Sequence, residues 1–135
     1  MLEESFRGSI LPNRRILVCG DRNWDDRDLI FDTLDEWNKL YNLTIIHGGA
    51  KGADSMAGEW AIANHCPLLV FYADWHIHGR AAGPIRNKRM LEEGRPDEGF
   101  VFHNNFSNSS GSKDMARRLM EAGLPVTYFQ SVGVG

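Results

Sequence analysis

Residues 43–54 read Leu-Thr-Ile-Ile-His-Gly-Gly-Ala-Lys-Gly-Ala-Asp, and this stretch decides the fold class. Its first four residues form an apolar run that predicts a buried strand, and a helical pattern begins near Ser55. Glycines between a strand and a helix permit a tight turn. Because N–H groups at a helix start carry partial positive charge, this order of elements predicts a site for a phosphate, most simply one carried by a nucleotide.

Strand and helix patterns alternate along the rest of the chain. The predicted strands are residues 15–19, 43–46, 68–71, 99–103 and 126–129, and the predicted helices are residues 25–41, 55–64, 84–93 and 112–122. Such alternation predicts an α/β fold, a Rossmann-like doubly wound parallel sheet of about five strands. We expect a single domain at residues 14–130, with an N-terminal arm at residues 1–13 and a C-terminal tail at residues 131–135.

The composition is typical of a globular protein. A chain of 135 residues, 42% of them hydrophobic, can bury one core without a disulfide or a metal. A net charge of -3 without a long basic stripe argues against a nucleic-acid partner. Cys19 and Cys66 lack the spacing of a zinc site or a redox pair, which predicts reduced thiols in a cytoplasmic protein. No apolar run has membrane-spanning length, and no signal core is visible.

The glycine loop is one of four loops predicted beyond the carboxyl ends of the strands, where sheets of this kind bind ligands. Its predicted phosphate contacts are Gly48, Gly49, Ala50, Lys51 and Gly52, and His47 is a further candidate for ligand binding. A tight turn without a ligand is the alternative. Asp54 either caps the following helix or binds a ribose hydroxyl.

The loop after the first strand contains Gly20, Asp21, Arg22 and Trp24. The guanidinium of Arg22 can bind a phosphate through two hydrogen bonds. Trp24 either stacks on a base or anchors the loop in the core, which is the commoner fate of a large aromatic side chain.

The two later loops add further candidates. Residues 72–83 and the helix that follows supply Asp74, Trp75, Arg80, Gly83, Arg86 and Asn87. Trp75 is the second candidate for stacking on a base. A cation near a helix start opposes the helix dipole, so Arg86 indicates an anionic partner. His76 and His78 have no third ligand nearby, so no metal is expected. Gly111 and Ser112 offer donors to an anion, unless Ser112 only caps its helix.

Four motifs occur in an order that resembles the YspA-like branch of the SLOG superfamily. They are GDRNW at 20–24, HGGAKGAD at 47–54, ADWHIHGRAAGPIRNKRM at 73–90 and GSKDM at 111–115. The resemblance spans approximately residues 14–126. It implies a Rossmann-like domain that senses or sequesters a nucleotide or nucleotide-derived signal in conflicts between phages and bacteria, with no other cofactor. It also implies that a homodimer could complete the pocket across its interface.

The resemblance extends to the LOG phosphoribohydrolases and the DNA-uptake protein DprA. Gly111 and Ser112 match the Gly-Thr of the LOG motif PGGxGTxxE, and Arg86 falls in the region of its arginine-bearing helix. The catalytic glutamate of that motif falls on Met115, which can act neither as an acid nor as a base. Binding without catalysis is therefore the leading interpretation. The alternatives are N-glycosidic hydrolysis of a nucleotide, with Asp21, Asp54 or Asp74 as the carboxylate, and a role on single-stranded DNA.

Overall fold

A computed structural model describes residues 10–131, and a five-stranded sheet forms its centre. The strands are β1 (Asn13–Gly20), β2 (Asn42–His47), β3 (Leu68–Val70), β4 (Glu98–Phe102) and β5 (Val126–Phe129). All neighbouring strands pair in parallel, in the order β3-β2-β1-β4-β5. The predicted parallel sheet is confirmed.

Helices cover both faces of this sheet. They are α1 (Arg27–Asn38), α2 (Ala53–Ala63), α3 (Trp75–His78), α4 (Ala82–Glu92) and α5 (Ser110–Glu121). Alternate residues of β1 enter different hydrophobic clusters: Ile16 lies with Trp60 of α2. Its neighbour Leu17 lies with Met115 of α5. The fold is therefore doubly wound, as predicted. Within residues 10–131, no helix is long and apolar enough to cross a membrane.

Several elements begin or end at residues other than those predicted. The segment predicted as an irregular loop at residues 72–83 contains α3 and a 3-10 turn, Gly79–Ala81. Because that turn leads directly into α4, the helix starts at Ala82 and not at Pro84. Of the predicted arm and tail, residues 1–9 and 132–135 lie outside the described residues.

The start of α5 also differs from the prediction. Ser109, not Ser112, is the N-cap, and its Oγ accepts the N–H of Ser112 at 3.1 Å. This hydrogen bond satisfies one of the amides that a helix start leaves without a partner. The helix therefore begins two residues earlier, at Ser110, and Gly111 and Ser112 lie in its first turn.

The strand order determines where a ligand can bind. The chain builds β1, β2 and β3 toward one edge and then returns to place β4 on the other side of β1. The order therefore reverses between β1 and β4, and open parallel sheets bind their ligands beyond the carboxyl ends of the strands at such a point. Gly20 and Phe102, the last residues of these two strands, are register partners.

Candidate functional site

A cleft of about 700 Å³ opens beyond the carboxyl ends of β1 and β4. Its walls come from the loops after β1 and β2, from α4 and from the segment that joins β4 to α5. Most of the predicted site residues line it: Gly20, Asp21, Arg22, Ala50, Asp54, Trp75, Arg80, Gly83, Arg86, Asn87, Gly111 and Ser112. The structure thus brings together residues from all four predicted loops.

A larger groove, of about 1270 Å³, lies elsewhere on the molecule, beside α1 and the end of α2. Asp32, Asp35 and Glu36 line it. The lysine of the groove, Lys39, is ion-paired with Glu36, so the remaining carboxylates would repel a phosphate. The cleft is lined by three aspartates as well, but these are balanced by three arginines. The cleft is therefore the better candidate for an anion site.

The remaining predicted residues lie outside the cleft lining: Trp24, His47, Gly48, Gly49, Lys51, Gly52 and Asp74. Gly49, Lys51 and Asp74 are the exposed residues among them, and the two that carry a side chain lie away from the cleft. Lys51 is exposed and has no ion pair within the described residues. Asp74 caps α3, where its Oδ1 accepts the N–H of Ile77 at 3.1 Å. Neither side chain contributes to the wall of the cleft.

In the glycine loop after β2, the carboxylate of Asp54 accepts two of the backbone amides that were predicted to bind a phosphate. Oδ2 of Asp54 accepts the N–H groups of Gly48 at 3.0 Å and of Ala50 at 3.3 Å. The Gly49 N–H donates to Nδ1 of His47 at 2.9 Å. Three predicted phosphate donors are therefore engaged inside the loop. Asp54 is not a helix cap either, because the N-cap position belongs to Gly52, which makes no side-chain cap bond.

Two glycines of this loop are required by neighbouring parts of the same chain. Gly52 has a φ of +75°, and a Cβ there would overlap the carbonyl oxygen of Asp21 and lie 2.6 Å from that of Arg22. A Cβ on Gly48 would lie 2.8 Å from the Cζ of Arg86. The glycines thus let the loop approach the backbone that follows β1 and the Arg86 side chain of α4 closely, independently of any ligand.

Arg86 connects α4 to the glycine loop. Its Nη1 donates to the carbonyl oxygen of Gly48 at 2.5 Å, and its Nε donates to Oδ1 of Asn87 at 2.9 Å. Burial lowers the pKa of Arg86, and the nearby Asp54 carboxylate opposes that change. The anionic partner predicted for this arginine is thus supplied at least in part by the protein itself.

Two titratable side chains of the loop have displaced pKa values. Burial raises the pKa of Asp54 to about 6, against the opposing effects of the Ala50 N–H, the Arg86 charge and the Gly48 N–H. Burial also lowers the pKa of His47 to about 4, with a further contribution from Arg86. At neutral pH the loop therefore contains an ionised Asp54 beside a neutral imidazole.

The two candidate tryptophans occupy different environments. Trp24 is 3% exposed, lies edge-on to Phe102 at 5.6 Å between ring centroids, and donates its Nε1–H to the carbonyl oxygen of Asp26. It anchors its loop, so a stacking role for Trp24 is wrong. Trp75 is 51% exposed and lines the cleft, where its ring lies close to Gly83. It is therefore accessible to a ligand.

The start of α5 and two arginines supply the cleft with free hydrogen-bond donors. Ser110 and Gly111 lie in the first turn of α5, where the N–H groups have no intrahelical acceptor, and both residues line the cleft. A Cβ on Gly111 would meet nothing within 4 Å, so the approach to this backbone is open. Arg22 and Arg80 line the same cleft, and neither guanidinium has a hydrogen bond or ion pair within residues 10–131.

Comparison with known proteins places the chain in a family. Residues 14–78 match the YspA, cpYpsA-related SLOG family. The Gene 61 protein of Mycobacterium phage D29 is 39% identical over 124 residues, which cover 86% of this chain and 96% of that protein. The chain belongs to the YspA, cpYpsA-related SLOG family. The predicted family resemblance is thereby confirmed.

A solved structure shares the fold of this SLOG domain. The X-ray structure of DNA processing protein A (DprA) from Streptococcus pneumoniae superposes with a TM-score of 0.66 at 19% sequence identity. The alignment covers 91% of this chain and 52% of that chain, so the SLOG domain spans about half the length of DprA. The similarity extends to the Rossmann-like architecture.

The SLOG domain also has a cleft carboxylate that the sequence prediction missed. Met115, at the position of the LOG glutamate, is fully buried in the core, whereas Asp114 lines the cleft. Burial opposes ionisation of Asp114, but hydrogen bonds from Arg118, Asn87 and Arg117 outweigh it and lower the pKa. Asp114 lies three residues after Gly111, and residues three apart share one face of a helix. This spacing was the signal in the sequence that could have placed Asp114 in the cleft.

Proposed function

We propose that this SLOG protein binds a phosphorylated nucleoside in the cleft and acts by sensing or sequestering it. The observation that carries the proposal is the meeting of the α5 N-terminus with the unpaired guanidinium groups of Arg22 and Arg80. A phosphate there would accept hydrogen bonds from the N–H groups of Ser110 and Gly111. The two arginines would add charge-assisted bonds, which are stronger than neutral ones.

The rest of the cleft suits a nucleoside. Its volume of about 700 Å³ falls within the ordinary range of small-molecule sites. The exposed indole of Trp75 offers a face on which a base can stack, and every base has a π-face. The proposed ligand therefore has its phosphate at α5 and its base toward α3.

The state of the reactive groups supports binding over hydrolysis. Asp54 is engaged by two amides, and Asp114 by three cationic or amide side chains. Burial raises the pKa of Cys19 to about 12, with a contribution from the Asp54 charge, so its thiol is a poor nucleophile. Incubation with nucleotides followed by chromatography should accordingly release no free base.

A thermal-shift screen tests the proposal directly. The panel contains nucleoside mono- and diphosphates, cyclic nucleotides and ADP-ribose derivatives. A ligand at 100 times its dissociation constant adds about 2.7 kcal/mol to stability, which should raise the Tm by about 5–10 °C. The proposal fails if no compound raises the Tm at millimolar concentration.

The position of the phosphate can be tested with three alanine substitutions. Arg22→Ala and Arg80→Ala each remove a cation of the cleft and should weaken nucleotide binding about tenfold, because hydrogen bonds to charged groups are the strong ones. Lys51→Ala removes an exposed cation of the glycine loop outside the cleft and should leave affinity unchanged. Calorimetric titration measures all three. If only Lys51→Ala weakened nucleotide binding, the phosphate would have to lie at the glycine loop instead.

A further inference from the structure

Asp21 and His103 lie side by side in the wall of the cleft, where the strand order reverses. Asp21 follows β1, and His103 follows β4. Oδ2 of Asp21 lies 4.0 Å from Nε2 of His103, and the two side chains are 27% and 9% exposed. This distance is too long for a direct hydrogen bond.

Backbone bonds hold the two residues in place. The Asp21 N–H donates to the carbonyl oxygen of Phe102 at 2.9 Å, and the His103 N–H donates to that of Phe129 at 3.0 Å. The ends of β4 and β5 therefore fix the backbone from which the two side chains project.

Two further backbone N–H groups determine which side-chain atoms of Asp21 and His103 remain free to donate or accept a hydrogen bond. The Asn105 N–H donates to Nδ1 of His103 at 2.9 Å, so the neutral ring carries its proton on Nε2. The Asn23 N–H donates to Oδ1 of Asp21 at 2.9 Å, which leaves Oδ2 to face the imidazole. The pair therefore offers the cleft one donor and one acceptor, 4.0 Å apart.

A hydroxyl group satisfies both atoms at once. It donates to Oδ2 of Asp21 and accepts from Nε2–H of His103. With hydrogen bonds of about 2.7 and 2.9 Å, the separation makes the two bonds roughly 90° apart at the hydroxyl oxygen, an angle about 20° below the tetrahedral one and within the broad range of hydrogen-bond directions. An ionised phosphate oxygen has no proton to donate and would be repelled by the carboxylate. The pair therefore discriminates in favour of a neutral hydroxyl.

We propose that Asp21 and His103 bind a ribose hydroxyl of the ligand and make the cleft selective for ribonucleotides over deoxyribonucleotides. The inference rests on the proposed function, since a phosphate at α5 would bring the sugar into this part of the cleft. His103 belongs to the segment that leads from β4 into α5, so the two subsites share one wall.

Calorimetric titration with matched nucleotides tests the subsite. The probes are the four ribonucleoside 5′-monophosphates, each with its 2′-deoxy and 3′-deoxy counterparts. The wild type should bind a ribonucleotide about tenfold more tightly than one of its deoxy counterparts, because the missing hydroxyl leaves Asp21 and His103 without a shared partner. Asp21→Asn should weaken the ribonucleotide about tenfold and leave that deoxy counterpart unchanged. A purely structural role would weaken both equally.

Two further sets of variants make the result specific. Asp25→Asn makes the same charge change at an exposed residue outside the cleft and should preserve the preference. His103→Phe should abolish it, and His103→Gln, which retains an amide donor, should restore part of it. Equal affinity of the wild type for all ribo and deoxy pairs overturns the subsite, with water filling the gap, and leaves the proposed function intact. Failure of every nucleotide to bind overturns both.

Discussion

Gly52→Ala should lower the free energy of unfolding by about 3 kcal/mol. Gly52 has a φ of +75°, a conformation that costs alanine about 1 kcal/mol. The added Cβ would also overlap the carbonyl oxygen of Asp21 and lie 2.6 Å from that of Arg22. Both are backbone atoms that cannot rotate away, so the loop after β1 or the start of α2 must move, and such overpacking costs about 1–3 kcal/mol more. Urea unfolding followed by circular dichroism measures the loss.

Gly123→Ala is the matched control. Its φ of +78° is nearly the same, but a Cβ there would meet nothing within 4 Å. This substitution should therefore cost only the conformational part, about 1 kcal/mol. The difference between the two variants isolates the contact between the glycine loop and the loop after β1. Equal losses at both positions would show that the contact is unimportant.

The fold could be predicted because its signals are local. An apolar run such as residues 15–19 is too short for a helix and ends at a glycine, and the helical segments between such runs require parallel strands. Helix starts were less predictable, because capping depends on which hydroxyl reaches an amide. Ser109 and Ser112 are both reasonable caps by sequence, and only the backbone geometry selects Ser109.

The role of the glycine loop could not be predicted, because its partners are distant in the chain. Gly48 contacts Arg86, 38 residues away, and the sequence cannot distinguish a glycine that admits a guanidinium from one that admits a phosphate. Asp54 was recognised as a polar residue at the helix start, but its acceptance of two loop amides depends on the curvature of the turn. Similarly, His103 lines the cleft because β4 pairs with β1, and this pairing brings together residues that are far apart in the sequence.

Opposite pH dependences should appear when the two titratable groups of the glycine loop are replaced in turn. The native pKa of Asp54 is about 6, above its ordinary value of 3.8. Between these values the native state retains a proton that the unfolded chain has released, so this group makes stability fall as pH rises. The native pKa of His47 is about 4, below its ordinary value of 6.5. There the unfolded chain binds the additional proton, so His47 makes stability increase with pH.

The two contributions nearly cancel in the wild type, because each amounts to about 3 kcal/mol over the same interval. Asp54→Asn retains a side-chain oxygen that can accept the two loop amides, and His47→Asn retains an acceptor at the δ position. Urea unfolding at pH 4, 5, 6 and 7 gives the free energy of unfolding of each protein. The wild-type value minus that of Asp54→Asn should fall by about 3 kcal/mol from pH 4 to 7, and the wild-type value minus that of His47→Asn should increase by about as much.

The controls for this experiment are Asp28→Asn and His76→Asn, which change exposed residues outside the loop and measure the effect of the same substitutions away from it. If the two difference curves, for Asp54→Asn and for His47→Asn, had slopes of the same sign, one of the two side chains could not be buried. Flat curves for both would mean that water reaches the loop freely, because burial is the largest cause of both displaced pKa values. Opposite slopes would instead show that both side chains are buried in the folded glycine loop, because burial raises the pKa of the carboxyl group and lowers that of the imidazole.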